Sequence, residues 1–421
     1  MDIHVVRAGE TVSSVAARYG VPAGILAGVN GVAPDAPLAV GQTLVVRRPR
    51  ELHAVASGES VYSIALRYGL SVRTLYQNNP ALGGRSALSP GQTLVIAYDD
   101  TPTRTLAVNA YSYPFIRGGL LDAALPYLTY LTPFTYGINA DGTLLPLAAA
   151  GQYRTAALMH LSTLTEEGRF DNARSTLILE EADAQDALMQ SILETVQARH
   201  YFGLDVDFEY VLPEQREAYA AFITRLREAL NPLGCPVIVA LAPKTSAAQR
   251  GLLYEAHDYT LLGAAANAVF LMTYEWGYAY GPPMAVAPLG QVRAVLDYAL
   301  TAVAPEKIFM GIPLYGYDWP LPFVSGETRA ESLSPVQAVE RALRHDIAIQ
   351  YDAAAQAPYY HYTDRGGRKH TVWFEDARSI EAKLRLADEY HLQGVGYWNL
   401  ARPFPQNWAV LASLFDIETL L

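Results

Sequence analysis

From residue 203 the chain reads Gly203-Leu204-Asp205-Val206-Asp207-Phe208-Glu209-Tyr210. The period is two, as in a β-strand. Leu204, Val206 and Phe208 share one face, and Asp205, Asp207 and Glu209 share the other. Same-face neighbours on a strand stand ~7 Å apart. Three carboxylates so close in a barrel interior cannot all ionise cheaply, because desolvation and mutual repulsion push at least one pKa upward. An ordinary structural strand would avoid that arrangement, whereas acid catalysis needs it: a carboxyl that stays protonated near neutral pH can donate to a leaving oxygen. The pattern fits a strand whose apolar face meets surrounding helices and whose acidic face lines a closed barrel. Glu209, last in the row, is nearest the C-terminal mouth. A hard-cation site built from the three acids is the weaker alternative, since no further Asp or His obviously joins from a neighbouring strand end.

Outward from this strand, β-rich apolar runs alternate with helical patterns. Eight candidate strands cover 106–113, 130–136, 157–164, 203–211, 237–243, 268–276, 308–315 and 394–400. Between them, 214–230 places Tyr219, Phe222, Ile223, Leu226 and Leu230 on one helical face, and 183–199 does the same with Leu188, Ile192 and Val196. Eight strands with intervening helices predict an α/β fold, a (β/α)8 TIM barrel over 104–421. A doubly wound sheet loses ground because no Gly-x-Gly-x-x-Gly follows a strand. Residues 320–375 form a small α+β insertion after strand seven. Its hairpin runs 359–363, turn, 369–374, and its aromatic residues either wall a cleft or pack the insertion itself.

The first hundred residues repeat. Ile3-His4-Val5-Val6-Arg7-Ala8-Gly9-Glu10-Thr11-Val12 returns, 49 residues on, as Leu52-His53-Ala54-Val55-Ala56-Ser57-Gly58-Glu59-Ser60-Val61. Gly41-Gln42-Thr43-Leu44-Val45 returns as Gly91-Gln92-Thr93-Leu94-Val95. Each unit reads strand, helix, helix, strand, with Thr11 and Ser60 as N-caps and Asn30 and Asn79 closing the second helix. The predicted domains are therefore 1–48, 51–98 and 104–421, with 99–104 as a short linker.

Composition narrows the class. The 421 residues are 51% hydrophobic and 17% charged, enough apolar material for a sizeable core. A net charge of −11 argues against a nucleic-acid partner. Residues 1–98 carry +3 and the rest −14, a mildly basic anchor beside an acidic body that suits an anionic polymer. The single cysteine, Cys235, forms no internal disulfide and no thiolate zinc cluster. No apolar run reaches the ~18 residues of a membrane helix, and the first residues do not form a Sec-type signal peptide. The 28 Tyr and 5 Trp supply flat rings of the kind that stack on sugars.

The two N-terminal units resemble LysM modules in their Gly-Glu-Thr/Ser opening, Arg-Tyr-Gly helix end, Asn, and Gly-Gln-x-Leu close. That resemblance implies binding of N-acetylglucosamine-containing glycans. The carboxylate strand is similar to the glycoside hydrolase family 18 signature Asp-x-x-Asp-x-Asp-x-Glu, with Phe202 in place of the first Asp. Met272-Thr273-Tyr274-Glu275 looks like that family's strand-six motif, with Glu275 for Asp, and Gly394-Val395-Gly396-Tyr397-Trp398 like its strand eight. The resemblance implies a retaining, substrate-assisted mechanism with no metal and no organic cofactor. Its catalytic set is Glu209, Asp207, Asp205 and Tyr274. Trp398, Glu275 and Tyr111 are expected to contact substrate. The combination of modules and barrel is similar to spore cortex-lytic N-acetylglucosaminidases of endospore-forming bacteria. That implies peptidoglycan or cortex fragments as partner, held by modules and cleft, and a place at the spore coat/cortex boundary. A chitinase, an endo-β-N-acetylglucosaminidase or a dead LysM-anchored lectin are the alternatives.

Overall fold

The protein is described from a computed structural model covering residues 1–147, 155–165 and 167–420. All eight apolar runs form strands: β1 (Arg104–Ser112), β2 (Tyr130–Pro133), β3 (Ala156–Ser162), β4 (Gly203–Asp207), β5 (Val237–Leu241), β6 (Ala268–Leu271), β7 (Ile308–Pro313) and β8 (Gly394–Trp398). Each pairs in parallel with the next, and β8 returns to β1, so the sheet closes into a barrel.

The strand β4 shows why the sequence chooses this architecture. Leu204, Val206 and Phe208 are completely buried on its outer side. Phe208 stacks on Tyr219 and Phe222 of the helix Arg216–Leu230, at 5.7 and 5.9 Å between ring centres. Burying a ring of that size stabilises by about 2–3 kcal/mol relative to leaving it exposed. The strand is shorter than its alternation suggests. Regular pairing ends at Asp207, so Glu209 stands two residues beyond the sheet, on the segment leading out of the mouth.

The barrel interior is filled from few positions. Phe270 of β6 reaches across it, and a Cβ on Gly396 or Gly311 would lie 2.3 or 3.2 Å from that ring. Glycine on β7 and β8 is thus the space the phenyl group occupies.

Between β7 and β8, an antiparallel five-stranded sheet is built from Gly316–Pro320, Glu331–Leu333, Gln350–Asp352, Ala357–Thr363 and Lys369–Trp373, with the helix Pro335–Arg344. The hairpin aromatics pack this insertion. Tyr360 and Tyr362 are buried and Tyr359 stacks on Trp373 at 4.7 Å. The cleft wall comes instead from the first strand of the insertion and its approach, through Tyr315 and Tyr317.

Each N-terminal unit is strand, helix, helix, strand. The repeated residues form repeated networks. His4 bonds Glu10 at 2.7 Å and Tyr19 at 3.2 Å, and His53 bonds Glu59 and Tyr68 at 2.7 and 3.1 Å. Asn30 and Asn79 each tie a helix end to the last strand, exchanging bonds with the backbone of Val45 and Val95.

The units are docked on the barrel. The backbone N–H of Ile349 donates to Val40 O at 2.8 Å, and Gln406 donates to Thr43 O at 2.6 Å. Arg73 donates to Pro126 O and Leu128 O, both at 2.8 Å. The linker is pinned as well: the Asp100 carboxylate is buried against Arg47 and the Met1 ammonium.

Candidate active site

The carboxylate row descends from the mouth into the barrel. At its floor, Asp205 is fully buried and wholly partnered. Tyr111 of β1 donates to one oxygen at 3.0 Å, and His160 of β3 bonds the other at 2.8 Å. The register explains this pairing, because β3 and β4 set His160 beside Asp205. In a parallel pair, adjacent residues at one level project to the same side. The expectation that no histidine joins the acids is therefore corrected. His160 was legible only as the polar member of an apolar strand, and its arrival at Asp205 needed the register. Its ring lies on Phe134, 3.9 Å away, and its Nε2 is buried without a partner.

One turn of the alternation higher, Asp207 is 5% exposed and its Oδ1 has no hydrogen-bond partner. Burial, with a smaller push from Asp205, raises its carboxyl to about 6, while nearby His160 opposes the rise. Glu209 at the rim is held well above the usual carboxylate range by burial first, then by the charges of Asp207 and Glu275. This is a pair whose neighbours keep one member neutral while the other ionises.

Tyr274 and Glu275 follow the end of β6. Tyr274 is 8% exposed, and its phenol is pushed well up by burial and by the surrounding acids, so it stays a hydroxyl donor. Glu275 accepts hydrogen bonds from Tyr315 and, at 3.0 Å, from Tyr317. Tyr210 and Glu275 both adopt left-handed backbone, with φ of 60° and 70°. Such conformations cost ~1–3 kcal/mol each and persist where the surroundings hold them. Here each follows directly on a residue at the cleft. On the outer side, His257 clamps the same segment. It accepts from Ala242 N at 2.8 Å through Nδ1, so its Nε2–H donates to Phe208 O at 3.0 Å. Burial lowers the His257 pKa to about 4, which keeps it neutral and the tautomer single.

Asp207, Glu209, Tyr274 and Glu275 line one cleft of about 350 Å³ together with Trp398. Of the residues named from sequence, Asp207, Glu209, Tyr274, Glu275, Trp398 and the ring of Tyr111 all face it, while Asp205 lies beneath. The Tyr111 hydroxyl is committed to Asp205, leaving its ring as the surface offered to a ligand. Phe202, where the motif has an Asp, lies at the far end of β4 and packs on Tyr130, 5.8 Å between centres, remote from the cleft. Among the described residues no group of three His, Cys, Asp or Glu is arranged to hold a metal ion. No single described helix is long and apolar enough to cross a membrane.

Comparison with known proteins places these features. Residues 162–402 match the model for glycosyl hydrolases family 18, and residues 4–47 and 53–97 match the LysM domain. The chain is 40% identical over 430 residues to the cortical fragment-lytic enzyme of Bacillus subtilis, covering 99% of both proteins. The crystal structure of the Bacillus cereus spore cortex-lytic enzyme SleL superposes with a TM-score of 0.82 at 37% identity, over 99% of this chain and 98% of that one. The Bacillus megaterium enzyme of the same name gives 0.82 at 35% identity, over 100% and 99%.

Proposed function

This chain belongs to glycosyl hydrolases family 18, and from that premise we propose that it hydrolyses spore-cortex peptidoglycan on the reducing side of N-acetylglucosamine. The observation that carries the reading is the pair Asp207 and Glu209 above Trp398. One is a buried carboxyl with an unpartnered oxygen, and the other is an acid held in its protonated form.

In this reading the sugar at the reacting position lies on Trp398. Glu209 passes its proton to the glycosidic oxygen as the C1–O bond breaks. The oxygen of the sugar's own 2-acetamido group attacks C1 and closes an oxazolinium ring. Asp207 accepts the acetamide N–H at its free Oδ1 and offsets the charge that develops on the ring. Tyr274 donates to the acetamide oxygen and aims it. Asp205, held between Tyr111 and His160, keeps Asp207 aligned. Glu209, now a carboxylate, takes a proton from the water that attacks C1, and the ring opens with overall retention.

The mechanism requires an N-acetyl group on the reacting sugar. Muramic lactam has none and cannot be the reacting sugar, and this reading assigns cleavage to the bond after N-acetylglucosamine. The LysM modules, by this reading spanning 1–48 and 51–98, hold the glycan while the domain 104–421 cuts it. The enzyme works at the boundary of coat and cortex.

Mass spectrometry of products from purified cortex fragments tests the reading, with Glu209→Gln as control. New reducing ends should be N-acetylglucosamine. Muramic-type reducing ends, or faster turnover of chitin oligomers than of cortex fragments, would overturn it.

A further inference from the structure

Beyond Trp398 the cleft does not stop. It continues into a second depression whose wall is Tyr113, Phe115, Tyr317, Ser332 and Arg402. Trp398, Tyr113 and Glu275 border both spaces, so a chain lying on the tryptophan runs from one into the other. Phe115 and Arg402 also border the next hollow along the surface, so this stretch is open at both ends. Its shape suits a polymer rather than a terminal sugar.

Two features of this stretch offer more than their contacts in the fold use. Phe115 is 78% exposed, and its ring lies parallel to Tyr113, 5.0 Å away at 8°. Among the described residues Phe115 is left open to solvent, and a flat apolar ring at a cleft edge is a surface for a sugar face. Arg402 lies on the loop after β8, which Asn399 turns by accepting from Ala401 N at 3.1 Å. Its guanidinium donates to the Ser332 hydroxyl at 3.2 Å and pairs with no carboxylate among the described residues. A half-buried guanidinium with several unused N–H groups is suited to bidentate recognition of a carboxylate. Of the acids bordering these hollows, Glu275 is turned toward the hydroxyls of Tyr315 and Tyr317, and Glu340 lies on the next hollow and makes no ion pair with Arg402 among the described residues.

We propose that Tyr113, Phe115 and Arg402 form a subsite for a carboxylate-bearing sugar next to the one that reacts, and that Arg402 selects carboxylated glycans over neutral ones. The inference rests on the peptidoglycan reading above. In a strand where N-acetylglucosamine alternates with muramic residues, a reacting N-acetylglucosamine has a muramic neighbour on either side. Where that neighbour is not the lactam, whose carboxyl is closed into its ring, its lactyl or peptide carboxylate is the group that meets Arg402, while the sugar face lies on Phe115.

Calorimetric titration of the full chain carrying Glu209→Gln, which holds substrate uncut, tests this. Two tetrasaccharides are compared: neutral chitotetraose and a peptidoglycan tetrasaccharide with free carboxylates. Adding Arg402→Gln should weaken the carboxylated ligand roughly tenfold and leave chitotetraose unchanged, and Arg402→Lys should restore part of the difference. Phe115→Ala should weaken both ligands alike, since a ring reads the sugar face and not its charge. Equal weakening of both ligands by Arg402→Gln, or no weakening of either, overturns the subsite. The catalytic reading fails separately: its sign is wild-type protein that binds the carboxylated tetrasaccharide and releases no reducing ends from it.

Discussion

Glu209→Gln keeps the shape of the acid and removes its proton. General acid assistance is worth ~10²–10⁴ in rate, and here the same residue also serves as base in the second step. Turnover of cortex fragments should fall by at least three orders of magnitude while glycan binding persists, and near-normal turnover would refute the role. Protonation states give a second test. Asp207 must be ionised to accept the acetamide N–H, and its carboxyl is raised to about 6 in the free protein, so kcat/KM should decline as pH falls through that region. Glu209 must be protonated, so kcat/KM should decline again on the alkaline side, where its raised carboxyl finally ionises. Both limbs belong to the coupled pair. Glu275→Gln removes a negative neighbour of Glu209 and should move the alkaline limb toward lower pH. The same burial costs stability. Asp207 holds its proton more tightly when folded than the ordinary 3.8, so stability falls as pH rises from there to about 6 and stays lower above it. Asp207→Asn should therefore stabilise the protein at pH 7, by on the order of 1–3 kcal/mol, show no gain below pH 4, and lose activity. Thermal unfolding at the two pH values would show it.

The site depends as much on what neighbouring strands omit. Gly311 on β7 leaves room for the end of β6 and for the segment after it: a Cβ there would stand 2.6 Å from Leu271 O and 2.8 Å from the Tyr274 ring. Gly311→Ala should push Tyr274 off the acetamide position, lowering kcat tenfold or more and costing about 1–3 kcal/mol of stability. Steady-state kinetics beside thermal melts separates the two effects, and an unchanged kcat would show that Tyr274 tolerates displacement. In the modules, Asn30 ties helix to strand through bonds to Leu26 O, Val45 O and Val45 N at 2.8, 2.9 and 2.7 Å. Asn30→Ala strands those buried groups and should destabilise the first module by about 2–4 kcal/mol, read as an earlier transition in denaturant. Asn79→Ala should do the same to the second.

Across the molecule, modules and barrel are joined by specific polar contacts rather than tethered. Gln406 reaches Asn30 at 3.0 Å and Thr43 O at 2.6 Å, and Arg73 and Gln77 both donate to Pro126 O. Gly41 lets the first module close on the insertion: a Cβ there would lie 2.0 Å from Ile349 O. Small-angle scattering should therefore fit one rigid body. Arg73→Ala combined with Gln406→Ala should raise the radius of gyration and open residues 99–104 to proteolysis. An unchanged scattering curve in the double variant would mean that apolar contact alone holds the modules.

Local periodicity made much of this legible beforehand. The alternation Leu204-Asp205-Val206-Asp207 sorted helix-facing from barrel-facing residues, because side-chain direction on a strand follows from parity alone. The 49-residue repeat marked both modules, because each closes its own small core and carries its own caps. Other features could not be read along the chain. His160 meets Asp205, His257 fixes Phe208, Tyr315 and Tyr317 hold Glu275, and Arg402 enters the groove beside Trp398. The first three meetings join residues at least 40 apart, and Arg402 meets Ser332 of the insertion 70 residues away. Such meetings depend on strand register, on barrel closure and on how the insertion folds back, and these are settled only when the whole sheet closes. Residue identity and spacing thus decided which chemistry the chain carries; packing decided which groups tune it and where the glycan lies.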